Sequence, residues 1–146
     1  MLATLACVIY RTWAVALLLV ALVTGCGPGG AVSDFGTVVH GGVGKTVDVP
    51  LTPGRRFSLA VEENRSAGEG WRLAALPDVK VASFISEEYR AGDGGGGVRY
   101  FVFNAKYPGT TTVTLIACER CADGRTPAGG QGGNETGKAV FRITVA

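Results

Sequence analysis

The sequence predicts an all-β fold, an immunoglobulin-like β-sandwich of about seven strands. From Lys45 onward, short segments alternate apolar and polar residues with the period of two that half-buried strands require. Gly and Pro turn signals separate them at short intervals. No segment sustains a 3.6-residue apolar repeat, and 23 glycines in 146 residues leave little room for long helices. A small closed barrel is the rival architecture. The Cys-to-Cys bridge with central Trp of antibody domains is absent, so the immunoglobulin likeness is one of architecture.

The first strand is read at Thr46-Val47-Asp48-Val49-Pro50-Leu51, with Val47, Val49 and Leu51 on one face. Phe57, Leu59 and Val61 repeat the pattern after the Pro53-Gly54 turn. Trp71 and Leu73 mark a third strand, and Val79, Val81 and Phe84-Ile85 a fourth beyond the turn at Pro77-Asp78. Glycines around Gly94 lead into Phe101, Phe103 and Ala105. Pro108-Gly109 precedes Val113, Leu115 and Ala117, and residues 140–145 close the chain with Val140, Phe141, Ile143 and Val145. Residues 122–138 are rich in glycine with almost no apolar side chains, so a long mobile loop is expected between the last two strands.

Residues 1–25 read as an export leader. Arg11 is the positive flank of an apolar run from Trp13 to Val23, too short to span a bilayer comfortably, which takes about 20 apolar residues. The run ends in Leu22-Val23-Thr24-Gly25-Cys26, which resembles a bacterial lipobox: an aliphatic residue three before a cysteine, with small residues between. That pattern implies lipidation of Cys26 and anchoring on the outer side of a bacterial membrane. Cleavage near Gly25 to a soluble secreted protein, or an uncleaved anchor, are the other readings. Residues 26–36 then form a flexible tether rich in Gly and Pro, and residues 37–146 a single domain.

Charge and cysteine usage narrow the function. The chain carries 14 Lys and Arg against 12 Asp and Glu, and loss of Arg11 with the leader brings the two still closer. So even a balance argues against a nucleic-acid partner. Of four cysteines, Cys7 lies in the leader and Cys26 in the lipobox, leaving Cys118 and Cys121 in the domain. Outside the cytoplasm such a pair is expected to form a disulfide, which would stiffen one turn and add little global stability because its loop is short.

The parts of an active site are missing. His40, the chain's one histidine, is flanked by glycines ahead of the first strand read and is expected to be a solvated loop residue. Cys118-Glu119-Arg120-Cys121 has thiol-oxidoreductase spacing but follows a strand, without the helix that activates such a cysteine. Two cysteines and a distant histidine leave a tetrahedral zinc site incomplete. Glu62-Glu63 and Glu87-Glu88 are adjacent pairs, expected to be solvated rather than to form a paired-carboxylate site. The chain is therefore read as a binding protein without enzymatic activity, cofactor or metal.

Two glycine-bearing loops and the strands behind them carry a resemblance. Asn64-Arg65-Ser66-Ala67-Gly68 with Trp71 following, residues 92–97 before Phe101-Val102-Phe103-Asn104-Ala105, and Glu119-Arg120-Cys121 fall in the order and spacing of three family loops. On these the chain resembles the chagasin-type inhibitors of papain-like cysteine peptidases. The family has Asn-Pro-Thr-Thr-Gly in the first loop and Arg-Pro-Trp in the third. Here Arg65 replaces the proline, Ser66 and Ala67 replace the threonines, and the third-loop Trp is absent.

The resemblance implies a monomeric, reversible inhibitor that occludes the peptidase cleft with three loops from one end of the sandwich. The residues it places against the peptidase are Asn64, Arg65, Ser66, Ala67, Gly68, Gly94, Gly95, Gly96, Glu119 and Arg120, with the turn at Ser66-Ala67 nearest the catalytic cysteine. The alternative is a non-inhibitory immunoglobulin-like envelope lipoprotein that binds a protein or glycan.

Overall fold

The computed structural model describes residues 34–120 and 134–146. The leader, Cys26, Cys121 and most of the glycine-rich stretch expected at 122–138 lie outside the described residues.

The described residues form eight strands: β1 (Thr37–His40), β2 (Thr46–Leu51), β3 (Arg56–Asn64), β4 (Glu69–Leu73), β5 (Ala82–Ala91), β6 (Gly96–Ala105), β7 (Gly109–Glu119) and β8 (Glu135–Val145). They form two four-stranded sheets, ordered β1-β3-β6-β5 and β2-β8-β7-β4. The sheets face each other across one apolar core, so the sandwich reading holds. Among the described residues no helix is long and apolar enough to cross a membrane.

The alternation read from the sequence is the alternation of the core. Phe57, Leu59, Val61, Phe101 and Phe103 come from one sheet, and Val49, Val113, Leu115, Phe141, Ile143 and Val145 from the other. All are fully or almost fully buried. Phe57 stacks on Phe103 with ring centroids 5.4 Å apart. Opposed residues of antiparallel strands share a face, and the pairings Phe57 with Phe103 and Leu59 with Phe101 place four of these side chains together.

The extra strand is β1, which pairs parallel with β3. It brings His40 into register with Ala60 as an exposed strand residue, correcting the expectation of a loop. Four residues are too short for alternation to register in the sequence. The chain then passes to the second sheet, where β2 runs parallel to β8. Gly41 permits this passage: its amide donates to the Ala60 carbonyl at 2.9 Å, and a side chain there would enter the Phe141 ring. Residues 34–36, read as the end of the tether, pack on the outer face of the first sheet. Phe35 stacks on Tyr100 at 4.3 Å, and its carbonyl accepts from the Ser58 hydroxyl at 2.7 Å.

Two further boundaries differ from the sequence reading. Val79 is 61% exposed in the turn before β5, whereas Val81 is buried. β8 begins at Glu135, so the end of the stretch expected to be loop is strand, paired with β7 through Ala117 opposite Gly137. The register shift at Ala117/Cys118 lets the ladder continue there.

Gly41→Ala should lower stability by about 1–3 kcal/mol by forcing the Phe141 ring from its place. Urea denaturation should show a lower midpoint at unchanged slope, and an unchanged midpoint would show that the passage tolerates a side chain.

Candidate functional site

Strands β3, β5 and β7 all end at the same pole of the sandwich, because each runs antiparallel to its ladder partner β6 or β8, both of which start there. The three sequence-predicted segments are therefore brought together. At this pole the chain turns from β3 into β4, from β5 into β6, and leaves β7.

The first turn, Arg65–Ala67, is a single 3-10 turn that carries the chain from one sheet to the other. Asn64 caps it, its side-chain oxygen accepting the Ala67 amide at 3.2 Å. Gly68 ends it in the left-handed conformation at φ 78°, its amide donating to the Arg65 carbonyl at 3.0 Å. These are the tasks to which Asn and Gly are suited, which is why the sequence signal sat on those two positions. Behind the turn, the Trp71 indole N–H donates to the Glu62 carbonyl at 2.8 Å, joining β4 to β3 across the sandwich edge. Trp71 is otherwise part of the core.

The second turn, Asp93–Gly95, has Gly94 and Gly95 at φ 73° and 84°. Gly96 and Gly97 are already in β6. The space a side chain at Gly95 would fill is taken by the Ser66 hydroxyl, so the first and second turns are in contact. The third segment meets the first through the backbone. Glu119 ends β7, and Arg120, with a positive φ of 63°, donates its amide to the Gly68 carbonyl at 2.7 Å. Asn64, Ser66, Ala67, Gly94, Gly95, Glu119 and Arg120 are exposed, with Gly68 and Gly96 half-buried.

Beneath the turns lies a charged cluster that sequence reasoning missed. Glu63 was expected to be solvated, yet its side chain is fully buried and joined to Arg99 by two bonds, Nε to Oε2 at 2.5 Å and Nη2 to Oε1 at 2.7 Å. Arg99 also reaches Glu87 at 3.2 Å, so that carboxylate too is engaged. Arg65 donates Nε to Glu63 Oε1 at 3.0 Å and lies over the Tyr89 ring at 3.7 Å. The parity of the strands held the clue. Glu63 continues the series Phe57, Leu59, Val61, and Arg99 begins the series Phe101, Phe103, Ala105, so both face the core.

Glu87 and Tyr89 reach this face through a β-bulge between Phe84 and Ser86, which shifts the register by one residue and reverses the facing of the residues beyond it. Burial alone would raise the Glu63 pKa, but the hydrogen bonds and charges of Arg99 and Arg65 outweigh it and hold the carboxyl below its ordinary 4.5.

Among the described residues no group of three or more His, Cys, Asp or Glu is placed to hold a metal. The pole offers tight turns with small side chains on a braced base, an arrangement suited to entering a concave partner. Residues 51–142, well over half of the chain, match the family model of the chagasin family peptidase inhibitors, I42. The chain belongs to the chagasin family. Its members are inhibitors of peptidases and not enzymes.

The match covers all of β3 to β7, and with them the first two turns, Glu119, Arg120 and the charged cluster. Among solved structures, the chain resembles the cysteine protease inhibitor EhICP2 from Entamoeba histolytica, with a TM-score of 0.51 at 13% identity over 75% of this chain and 96% of that one. Amebosin gives 0.49 at 14% identity, covering 75% and 97% of the two chains. PbICP-C, solved in complex with falcipain-2, gives 0.44 at 16%, covering 80% and 95%. At such identities the first likeness is one of fold. Comparison with curated protein sequences gives no match.

Removing one partner of a buried ion pair strands the other, so Arg99→Met should destabilise the protein by about 3–5 kcal/mol, whereas Glu63→Leu combined with Arg99→Met should recover most of that loss. The folded pKa of Glu63 lies below its unfolded value. Its contribution is therefore present above about pH 4.5 and lost as pH falls through the folded value. Thermal melts between pH 6 and pH 3 should fall less steeply for the double variant than for the wild type. Equal slopes would show that the pair is not what acid disrupts.

Proposed function

We propose that this protein is a reversible inhibitor of papain-like cysteine peptidases and that it closes the active-site cleft with the three segments at the loop pole. Membership of the chagasin family supports inhibition. The observation that carries the mechanism is the joining of the segments into one edge, by the Arg120 amide on the Gly68 carbonyl and by Ser66 against Gly95. At the tip, Ser66 and Ala67 present short side chains on a turn closed by its own hydrogen bonds. A peptidase cleaves extended chain, so a turn held this way blocks the nucleophile without offering a scissile strand. Asn64, Gly68, Gly94 and Gly96 hold the turns in shape, and Glu119 and Arg120 flank the tip as the third point of contact.

The third segment lacks the aromatic residue expected to anchor such an interface. A Cys118–Cys121 disulfide takes over part of that role in our reading, by stiffening the exit from β7 and reducing the ordering cost of binding. Its support is the short spacing in a chain whose leader reads as an export signal and the position of Cys118, buried beside Gly70 at the end of β7. Lipidation of Cys26 would hold the monomer on the outer side of a bacterial membrane.

Purified protein titrated against papain should give stoichiometric, reversible inhibition. Ser66→Arg combined with Ala67→Glu should weaken it at least about 30-fold, the loss of some 2 kcal/mol expected at the centre of an interface. Undiminished inhibition by that variant would move the contact elsewhere. A folded wild type that inhibits no papain-like enzyme would leave a non-inhibitory envelope-binding module. Labelled palmitate should be incorporated by the wild type and not by Cys26→Ala in a bacterial host, and label retained by the variant would refute anchoring at Cys26.

A further inference from the structure

We propose that Arg65 is a positioning residue of the inhibitory turn and makes no direct contact with the peptidase: its side chain moors the turn to Tyr89 and Glu63. This rests on the inhibitor reading above. Arg65 is the one long side chain of the first turn, and an exposed arginine there would ordinarily be assigned to a partner. Its guanidinium is already engaged. It lies 3.7 Å over the Tyr89 ring, and its Nε donates to a Glu63 oxygen at 3.0 Å. Glu63 is itself held by Arg99, so the mooring point is fixed. The cluster is built to receive it. A side chain at Gly97 would meet the Tyr89 ring and the Arg90 carbonyl, so glycine at that position makes room for Tyr89.

The consequence is mechanical. The Arg65 carbonyl accepts the Gly68 amide that closes the turn, and the next two residues, Ser66 and Ala67, form its tip. Holding the Arg65 side chain against two strands limits the conformations the tip can sample. A tip ordered before binding loses less entropy on entering a cleft. With Arg65 folded back, the tip of the first turn presents the short, uncharged side chains of Ser66 and Ala67.

The local backbone supplies a test that separates mooring from contact. Arg65 occupies the first position of a helical turn, where proline is favoured, and Asn64, at φ -104° and ψ 92°, lies outside the α region that a following proline disfavours. The closing bonds of the turn use the Ala67 and Gly68 amides, which such a change leaves in place. Arg65→Pro therefore stiffens the turn by another route while removing every atom that could touch a partner as arginine does. Arg65→Lys keeps the charge but loses the planar group that stacks and bonds together.

Inhibition of papain should weaken by roughly 10-fold in Arg65→Ala through lost preorganisation. It should stay weak in Arg65→Lys and return to within roughly 3-fold of wild type in Arg65→Pro, whose restricted chain has less freedom to lose. Tyr89→Leu should weaken the wild type and have little effect in the Arg65→Pro background. The reverse order, with lysine retaining inhibition and proline abolishing it, would make Arg65 a contact and overturn the proposal.

Amide hydrogen exchange at Ala67 and Gly68 in the free protein gives a second readout that needs no peptidase. It should quicken in Arg65→Ala and recover in Arg65→Pro, and equal rates in all three proteins would also overturn the proposal. Should the wild type inhibit no peptidase, the inhibitor reading fails by itself, while the exchange rates still decide whether Arg65 holds the turn.

Discussion

The ion pair between Glu63 and Arg99 is the interaction on which the loop pole depends. Both strands that carry it, β3 and β6, arrive at the pole with their core-facing positions still enclosed between the sheets. An apolar residue at either position would simply extend the core. A charged one has to find its opposite within reach, and the diagonal placement of Glu63 and Arg99 on neighbouring strands provides it. Pairs of this kind contribute little net stability against a hydrophobic alternative, because both charges leave water. What they contribute here is a fixed polar floor, with oxygens and nitrogens at defined positions, from which Arg65 and Glu87 take theirs.

Placement of the turns is set by strand direction. β3 and β5 both pair antiparallel with β6, so both end where β6 begins. β7 pairs antiparallel with β4 and β8, and β4 starts immediately after the first turn. The three segments therefore converge without long connections, and the contacts between them are made largely by backbone and small residues. Gly95 leaves room for Ser66, and Gly68 offers its carbonyl to Arg120. Small residues at these points let the chains approach closely, which explains the density of glycine at a pole that is nevertheless ordered by hydrogen bonds.

Family membership and the geometry answer different parts of the question. Membership establishes that the chain is of a peptidase-inhibitor lineage. The geometry shows how the three segments are held together at one end of the sandwich, by the Arg120 amide on the Gly68 carbonyl and by Ser66 against Gly95. In the first turn Asn64 and Gly68 are the residues whose chemistry shapes the backbone, and the positions between them are exposed.

Much of the fold was legible in the sequence because a strand facing one core must alternate. Val47 to Leu51, Phe57 to Val61, Phe101 to Ala105 and Val113 to Ala117 all face as that alternation requires. The turns of the site were legible where a backbone demand selects a residue type, as at Asn64, Gly68 and the glycines of 92–97. β1 was not legible because four residues are too few, nor was the facing of Glu87 and Tyr89, because a bulge in β5 breaks the period that would have revealed it. By itself, then, the sequence determined the alternating faces and the turns, which are local properties of backbone and side chain. Only the tertiary structure decided that Glu63 meets Arg99, that Arg65 turns inward onto Tyr89, and that Ser66 rests on Gly95. Those contacts join residues far apart in the chain, and strand pairing and register alone bring them within a few ångströms.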